Sequence, residues 1–218
     1  IVASPANPTV TLLSPAQLAG LARFTAARDA HLIVDEIYHG LTYETDADTV
    51  LAHSRDAWVV QSFSKYFQMT GWRLGWLVVP KPHLRDVEKL AQNLYISPPT
   101  PAQHAALAAF HPETLAILEE RRQAFRQRRD FLAPELERLG LRIAAPSQGA
   151  FYLYCDSSAL GADSFQLAGD ILRQAHVALT PGIDFGANQP ERHLRIAYTT
   201  DLSRLEEAIR RLGRYFGR

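Results

Sequence analysis

The chain has 218 residues, enough for one large domain or two small ones with a sizeable hydrophobic core. Hydrophobic residues make up 47%, charged residues 21%, and the formal net charge is zero, which argues against DNA, RNA or an anionic membrane as a partner. The single cysteine, Cys155, excludes an internal disulfide and fits a cytoplasmic protein. No apolar run reaches the roughly 20 residues of a transmembrane helix.

The first ten residues, IVASPANPTV, lack an initiator methionine and open on an apolar pair typical of the end of a strand. They do not resemble the charged and then apolar leader of a secreted protein. We therefore expect the chain to be a piece of a longer protein whose N-terminal part is absent or cleaved.

The first half of the chain shows alternating helix and strand patterns. Ser14-Pro15 is a good helix start, and apolar residues follow it at helical spacing. Three short continuous apolar runs come next, in HLIVDEIY, AWVVQSFSK and LGWLVVP. Continuous rather than alternating apolar runs are typical of strands buried on both faces. This part is therefore predicted to be α/β, a partial and mostly parallel sheet with flanking helices.

Three helices are predicted after these strands. The first covers about Pro82–Tyr95, and a short Ala-rich helix follows the breaker SPPTPAQ. The third is long, covers Glu113–Leu139, is interrupted by Pro134 and ends at Gly140.

The pattern changes beyond the long helix. LRIAAPSQGAFYLYCD predicts two strands around a Gly-containing turn, and a helix follows near Ser164–Ala175. The strand HLRIAYT and an amphipathic closing helix from Asp201 complete an α+β layout. We place the domain boundary in the long helix, which gives a first domain over residues 1–115 and a smaller α+β domain over 116–218.

Polar side chains stand directly after two of the apolar runs. Asp35 and Tyr38 follow HLIV, whereas Ser62, Ser64 and Lys65 follow WVV. In open α/β sheets, ligands bind outside the carboxyl ends of the strands. A carboxylate after a strand is usually a cap, and a loop lysine is usually a solvated charge. If the two strands are parallel neighbours, however, all five side chains converge on one crevice.

These residue types together suit one cofactor. The amine of Lys65 is a nucleophile for a carbonyl group. Ser62, Ser64 and Arg73 offer two hydroxyl donors and a guanidinium fork for a phosphate. A carboxylate such as Asp35 can stabilise a protonated pyridine nitrogen. This set predicts a pyridoxal phosphate site.

Five motifs carry a resemblance to a known family. SFSKYFQMTGWRLGW resembles the lysine signature of class I/II aminotransferases, Ser-x-Ser-Lys followed by Gly-x-Arg-x-Gly. NPTV at 7–10 resembles the family's Asn-Pro-Thr-Gly motif, with Val10 where glycine is usual, and DEIY at 35–38 resembles its Asp-x-x-Tyr. QGAFYLY and HLRIAY resemble two blocks of its C-terminal domain. The motifs keep the family's order over nearly the whole chain.

The resemblance implies a role for each residue that matches a motif. Lys65 would bind pyridoxal 5'-phosphate covalently and then move the proton from the substrate's Cα. Asp35 would pair with the pyridine nitrogen, and Tyr38 and Asn7 would donate to the phenolate oxygen.

The remaining motif residues would bind anionic groups. Ser62, Ser64 and Arg73 would hold the cofactor phosphate. Arg195 would bind the substrate α-carboxylate as a bidentate fork, and Asn7 would also contact that group.

The resemblance also implies the context of the chain. Residues 1–115 would be the C-terminal portion of the large cofactor-binding domain of a PLP-dependent transferase, and 116–218 its small domain. The N-terminal half of the large domain would be missing, so we expect this piece alone to bind cofactor poorly and to be inactive. The full-length protein would be a cytoplasmic homodimer acting on an amino acid and a 2-oxo acid.

Other functions remain open on the same scaffold. A PLP-dependent C–S lyase or synthase would use the same Lys65 and Arg195, because fold does not decide chemistry. A ligand-sensing domain of a transcription regulator is a further alternative. The eight histidines show no metal-ligand spacing, so no metal site is predicted. The basic run RRQAFRQRRD is interpreted as a solvated helix face rather than a nucleic-acid stripe.

Overall fold

The computed structural model describes residues 1–161 and 163–218, which form two compact units. Unit 1 comprises Ile1–Ala6 and Leu12–Arg122, and unit 2 comprises Asn7–Thr11 and Gln123–Arg218. Within the described ranges, no helix combines the length and the apolar character needed to cross a membrane.

Unit 1 alternates strands and helices. Its elements are, in chain order, β1 (Val2–Ala3), α1 (Pro15–Ala26), β2 (Ile33–Asp35), β3 (Trp58–Ser62), β4 (Gly75–Val78), α2 (Leu84–Leu94), α3 (Thr100–Ala109) and the first part of α4 (Pro112–Arg138). Short 3-10 helices cover Val50–Ala52, Thr70–Trp72 and Lys81–His83. Ser14 caps α1 as predicted, since its side chain accepts a hydrogen bond from the Gln17 amide.

The sheet of unit 1 has the strand order β1-β2-β3-β4. β1 pairs with β2 and β2 with β3 in parallel, whereas β4 pairs antiparallel with β3. The core beneath it is apolar and includes Leu18, Val34 and Val59, each at most 1% exposed. The predicted α/β class with a mostly parallel sheet is confirmed. The parallel pairing sets Asp35 opposite Val60, so β2 and β3 end side by side.

The third apolar run does not match its prediction. Trp76 and Leu77 of β4 are 39% and 43% exposed, so the expectation of a strand buried on both faces is wrong for this run. β4 is the last strand of the order that the described residues form, and it pairs there with β3 alone. Apolar side chains of α2 are exposed as well, such as Leu90 at 60% and Leu94 at 67%.

Unit 2 is an α+β structure. Its elements are the rest of α4, β5 (Arg142–Ile143), β6 (Tyr152–Asp156), α5 (Ser164–Ala175), β7 (Thr180–Pro181), β8 (His193–Ala197) and α6 (Leu202–Phe216). The sheet has the order β5-β6-β8-β7, and every pairing in it is antiparallel. One face, with Leu153 and Leu194 fully buried, belongs to a core that α4, α5 and α6 share. Because side chains alternate along a strand, Tyr152, Tyr154 and Arg195 lie on the other face.

The long helix α4 continues through Pro134, so the predicted interruption is wrong. Pro134 lies on the exposed side of the helix, whereas Leu132 and Leu136 are buried in the core of unit 2. Burial of these leucines offsets the backbone hydrogen bond that proline cannot make.

Candidate functional site

The amine of Lys65 lies beside the turn that follows β2. Because β2 and β3 are parallel neighbours, the segments after them start at the same edge of the sheet. Lys65 comes three residues after β3, and its Nζ is 5.5 Å from the centre of the Tyr38 ring. Tyr38 itself is buried, at 4% exposure. The structure thus brings together the two polar groups that the sequence placed after neighbouring strands.

The loop that carries Lys65 is closed by its own backbone. The amide of Phe63 donates to the Leu74 carbonyl at 3.1 Å, and the amide of Met69 donates to the Phe63 carbonyl at 2.9 Å. Phe63 and Met69 are both buried, which anchors the loop in an apolar cluster. A turn closed by the Gln68 amide on the Lys65 carbonyl, at 3.1 Å, then sets the position of the lysine backbone.

The predicted phosphate ligands belong to the same segment. The Oγ of Ser62 accepts a hydrogen bond from the Ser64 amide at 3.0 Å. Arg73 is exposed, has a left-handed backbone with φ of 54°, and donates to the Thr70 carbonyl at 2.9 Å. Gly75 pairs with Ser62, and a Cβ at Gly75 would lie 2.6 Å from the Gln61 carbonyl oxygen. The close approach of these two strands therefore requires glycine.

Asp35 keeps one carboxylate oxygen available. Its Oδ1 accepts the amide of Ile37 at 3.1 Å, which closes a local turn after β2. Its Oδ2 has no hydrogen-bond partner within residues 1–161 and 163–218. Gly40, with φ of 86°, completes the turn, and the ring of Tyr66 would lie 2.7 Å from a Cβ there. The turn after β2 and the Lys65 loop therefore pack directly against each other.

Arg195 in unit 2 is held on three sides. Its Nη1 donates to the Asn7 Oδ1 at 2.8 Å. Its guanidinium carbon lies 4.1 Å from the centre of the Tyr152 ring and 4.5 Å from that of Phe185. The Nε is buried, with no hydrogen-bond partner in the part of the chain that the structure describes. A ligand can therefore reach this guanidinium through the edge that carries the Nη atoms.

Sequence reasoning missed the two aromatic rings on Arg195. Tyr152 lies on β6, which pairs with β8, and the alternation in FYLY places it on the same face as Arg195. That alternation is a usable signal once the pairing is known. Phe185, from the 3-10 helix Gly182–Phe185, offers no such signal because only the folded chain brings it to the ring.

A cavity of about 470 Å³ opens within unit 2. Its lining includes Pro8, Tyr154, Phe185 and His193. Tyr154 stacks on His193 with ring centres 4.8 Å apart, and burial raises the pKa of the Tyr154 hydroxyl. Phe185 thus contacts both the guanidinium and this aromatic cavity.

Val10 of the NPTV motif and the single cysteine, Cys155, are both buried. Val10 is fully buried with φ of 55°, a conformation that favours glycine, the residue usual in the motif that NPTV resembles. Cys155 is fully buried, and burial, with a smaller effect of Glu137, raises the pKa of its thiol to about 12. The thiol is therefore not a nucleophile at neutral pH.

The described residues contain no group of three or more potential metal ligands.

The chain is similar to curated aminotransferases over nearly all of its length. It is 44% identical over 215 residues to valine–pyruvate aminotransferase of Mycobacterium tuberculosis, covering 98% of this chain and 55% of that protein. It is 36% identical over 221 residues to aspartate/prephenate aminotransferase of Thermus thermophilus, covering 100% of this chain and 56% of that protein. The chain thus spans little more than half the length of these relatives.

Solved structures show the same relationship. The crystal structure of an aminotransferase from Mycobacterium tuberculosis matches with a TM-score of 0.95 at 42% identity, over 99% of this chain and 57% of that one. An aromatic aminotransferase from Pyrococcus horikoshii matches with a TM-score of 0.91 at 30% identity, over 99% of this chain and 59% of that one. The family model for aminotransferase class I and II matches residues 1–212. The chain therefore belongs to the aminotransferase class I and II family.

Proposed function

We propose that this protein is a pyridoxal phosphate-dependent aminotransferase that moves an amino group from an α-amino acid to a 2-oxo acid. One observation carries the proposal. The parallel pairing of β2 and β3 sets the Asp35–Tyr38 turn beside the loop of Lys65, with the amine 5.5 Å from the Tyr38 ring. Membership of the family supports the same chemistry.

The residues of unit 1 fit the cofactor by the chemistry of their donors. Lys65 offers an amine, Asp35 offers a carboxylate oxygen without a partner among the described residues, and Tyr38 offers a phenol. Ser62 and Arg73 offer the hydroxyl and guanidinium that suit a phosphate. When bound, pyridoxal phosphate supplies an electron sink that stabilises negative charge at the substrate's Cα.

Each of these side chains would serve the bound cofactor or the substrate. Lys65 would hold pyridoxal phosphate through its amine and would also be the base that moves the proton from the substrate's Cα. Asp35 keeps the cofactor's ring nitrogen protonated through charge pairing. Tyr38 would donate to the phenolate oxygen. Ser62, Ser64 and Arg73 retain the phosphate.

Arg195 binds the α-carboxylate of the substrate in this proposal. A planar guanidinium matches a carboxylate with two parallel hydrogen bonds. Asn7, which already accepts from the Nη1 of Arg195, orients that group and contacts the same carboxylate. This interaction contacts only the α-carboxylate, which all α-amino acids share. It therefore selects α-amino acids as a class and does not discriminate between their side chains.

We also propose a cytoplasmic homodimer. The exposed apolar side chains at the end of α2 and directly after it support a covered surface in the protein at its natural length, among them Leu94 at 67%, Tyr95 at 75% and Ile96 at 85%. Light scattering coupled to size exclusion should give twice the monomer mass. A monomer mass at micromolar concentration would contradict the dimer.

The activity test uses the protein at its natural length with pyridoxal phosphate. Valine, aspartate and phenylalanine are suitable donors, because the relatives named above act on valine, aspartate or aromatic substrates by name. With 2-oxoglutarate or pyruvate as acceptor, we expect glutamate or alanine. Ammonia and pyruvate from cystathionine, without either amino acid product, would instead indicate a lyase.

The lysine assignment has a separate test. Borohydride reduction followed by peptide mapping should find the cofactor on Lys65. A label on Lys81 or Lys89 would contradict the proposed site.

A further inference from the structure

A buried carboxylate lies inside the turn that carries Asp35 and Tyr38. Glu36 is 2% exposed, and its Oε1 accepts the Thr49 hydroxyl at 3.0 Å and the Val50 amide at 2.9 Å. Its other oxygen, Oε2, is 3.4 Å from the Nδ1 of His39. A buried charge of this kind is costly unless it is paired.

His39 lies between two acceptors. Its Nε2 is 3.1 Å from the carbonyl oxygen of Ser4. A carbonyl oxygen only accepts, so Nε2 must carry a proton. In a neutral imidazole Nδ1 would then be a bare acceptor that faces the Oε2 of Glu36. A second proton between Nδ1 and Oε2 removes this conflict.

The other contacts of Glu36 bear on where that proton resides. Two donors already bind its Oε1, so Oε2 is the carboxylate oxygen that faces His39. Imidazole also binds a proton more strongly than a carboxylate does in model compounds. We propose that His39 is an imidazolium with both ring N–H groups in place, and that it forms a buried ion pair with Glu36 which positions Asp35 and Tyr38.

The pair connects three segments of unit 1. His39 reaches Ser4, directly after β1, and Glu36 reaches the first turn of the 3-10 helix Val50–Ala52. The backbone of Glu36 also donates to the Val60 carbonyl of β3 at 3.0 Å. Glu36 directly follows Asp35 in the sequence, and His39 directly follows Tyr38. Fixing the pair therefore fixes the backbone that presents Asp35 and Tyr38.

The protonation state can be measured without cofactor or activity. The experiment is a long-range proton–nitrogen correlation spectrum of the protein at its natural length with ¹⁵N-histidine at pH 7.5, assigned with H39Q. We expect both nitrogens of His39 to show the protonated signature of an imidazolium. In Glu36→Gln, the carboxamide can donate to Nδ1, so the ring should become neutral with its proton on Nε2. A neutral ring in the wild type would overturn the proposal.

A double-mutant cycle tests the charge pairing. His39→Gln leaves the carboxylate of Glu36 without a cation. The melting temperature of the H39Q variant should therefore fall further below that of the wild type than the melting temperature of Glu36→Gln does. The double variant E36Q/H39Q should recover part of the loss, because no buried charge remains unpaired. A double variant no more stable than H39Q would overturn the ion pair. His53→Gln is the matched control, since His53 pairs with Asp48 at 2.6 Å on the surface and should show little loss.

The positioning role rests on the proposed function and is read from cofactor affinity. In H39Q, the Kd for pyridoxal phosphate should rise several-fold and return toward the wild-type value in the double variant. An unchanged Kd in a folded H39Q would refute positioning. A wild-type protein that never binds pyridoxal phosphate, yet shows the imidazolium, would refute the proposed function while the ion pair stands.

Discussion

Two regions of the molecule present a positive charge, and they hold it by different means. In unit 1, the loop of Lys65 and Arg73 is closed by hydrogen bonds among residues that are near in sequence, such as Phe63 to Leu74. In unit 2, Arg195 is held by Asn7, 188 positions away, and by Tyr152 and Phe185 from two other elements. A local motif is therefore enough to build the first region, whereas the second depends on the folded sheet.

This difference has a physical consequence for each group. Arg73 is exposed and binds a carbonyl of its own loop, so it can reorient at little cost. The guanidinium of Arg195 contacts two aromatic rings and its Nε is buried, so its position is set before a ligand arrives. Preorganisation of this kind lowers the entropy lost on binding. We therefore expect a substitution of Arg73 to change the Kd of pyridoxal phosphate and a substitution of Arg195 to change KM for the amino acid.

The largest effect is expected at the amine of unit 1. Lys65→Arg keeps the charge and loses the nucleophile, so kcat should fall by at least about 10³-fold. Steady-state transamination of the protein at its natural length gives kcat, and borohydride trapping should lose its label in the same variant. Lys89→Arg, on the exposed surface of α2, is the control and should be unchanged. Full activity of K65R would disprove the assignment.

The next largest effect separates the two arginines. Arg195→Lys loses the fork and the stacking, so KM for the amino acid should rise roughly 10- to 100-fold, which corresponds to about 1.4–2.8 kcal/mol. Arg73→Lys retains a point charge for a phosphate, so we expect the Kd of pyridoxal phosphate to rise by roughly 3- to 10-fold with KM little changed. Substrate titrations and cofactor fluorescence measure the two constants. The reverse assignment of effects would contradict the proposed roles.

The comparison also shows what the sequence can predict. The ends of β2 and β3 were predictable because buried parallel strands have continuous apolar runs, and the polar residues after them then share one edge. Local capping was predictable too, as at Ser14. The roles assigned to Asp35, Tyr38 and Lys65 in binding a cofactor stay predictions.

Other features depended on contacts that no local pattern carries. Trp76 and Leu77 are exposed on β4, the last strand of the order that the described residues form, and an apolar run does not show which strand is last. The continuation of α4 through Pro134 depends on leucines buried in a core formed by distant elements. Phe185 reaches Arg195 from a 3-10 helix with no periodic pattern. Each of these was decided by tertiary packing and not by local propensity.

A third prediction tests whether the framework of unit 2 can be weakened without changing its arginine. Asp156 on β6 is buried, and hydrogen bonds from Ser158, above all from its hydroxyl, hold the pKa of Asp156 well below its usual value of 3.8, with further contributions from Arg142 and Arg192. Asp156→Asn should lower the free energy of unfolding by about 2 kcal/mol at pH 7. KM should not change, since the substitution does not touch Tyr152 or Phe185.

The pH dependence of that difference follows from the lowered pKa. A carboxylate with a lower pKa in the folded state stabilises it above its unfolded pKa, and this stabilisation is lost as pH falls toward the folded pKa. Urea unfolding should therefore show a constant gap between wild type and D156N from pH 7 to 5 that narrows below about pH 4. A gap that widens on acidification would contradict the cause given for the pKa shift.

The smallest expected effect isolates the aromatic ring on Arg195. Phe185→Leu removes one of the two aromatic contacts of the guanidinium while keeping apolar volume, so KM for the amino acid should rise roughly fivefold, or about 1 kcal/mol, with kcat little changed. Phe185→Tyr retains the ring and should keep the wild-type KM. If F185L and F185Y raised KM equally, the cavity that Phe185 also lines would be responsible instead of the ring's contact with the cation. If only the ring matters, F185L should have a higher KM than both the wild type and F185Y, because only F185L loses the ring's contact with the guanidinium of Arg195.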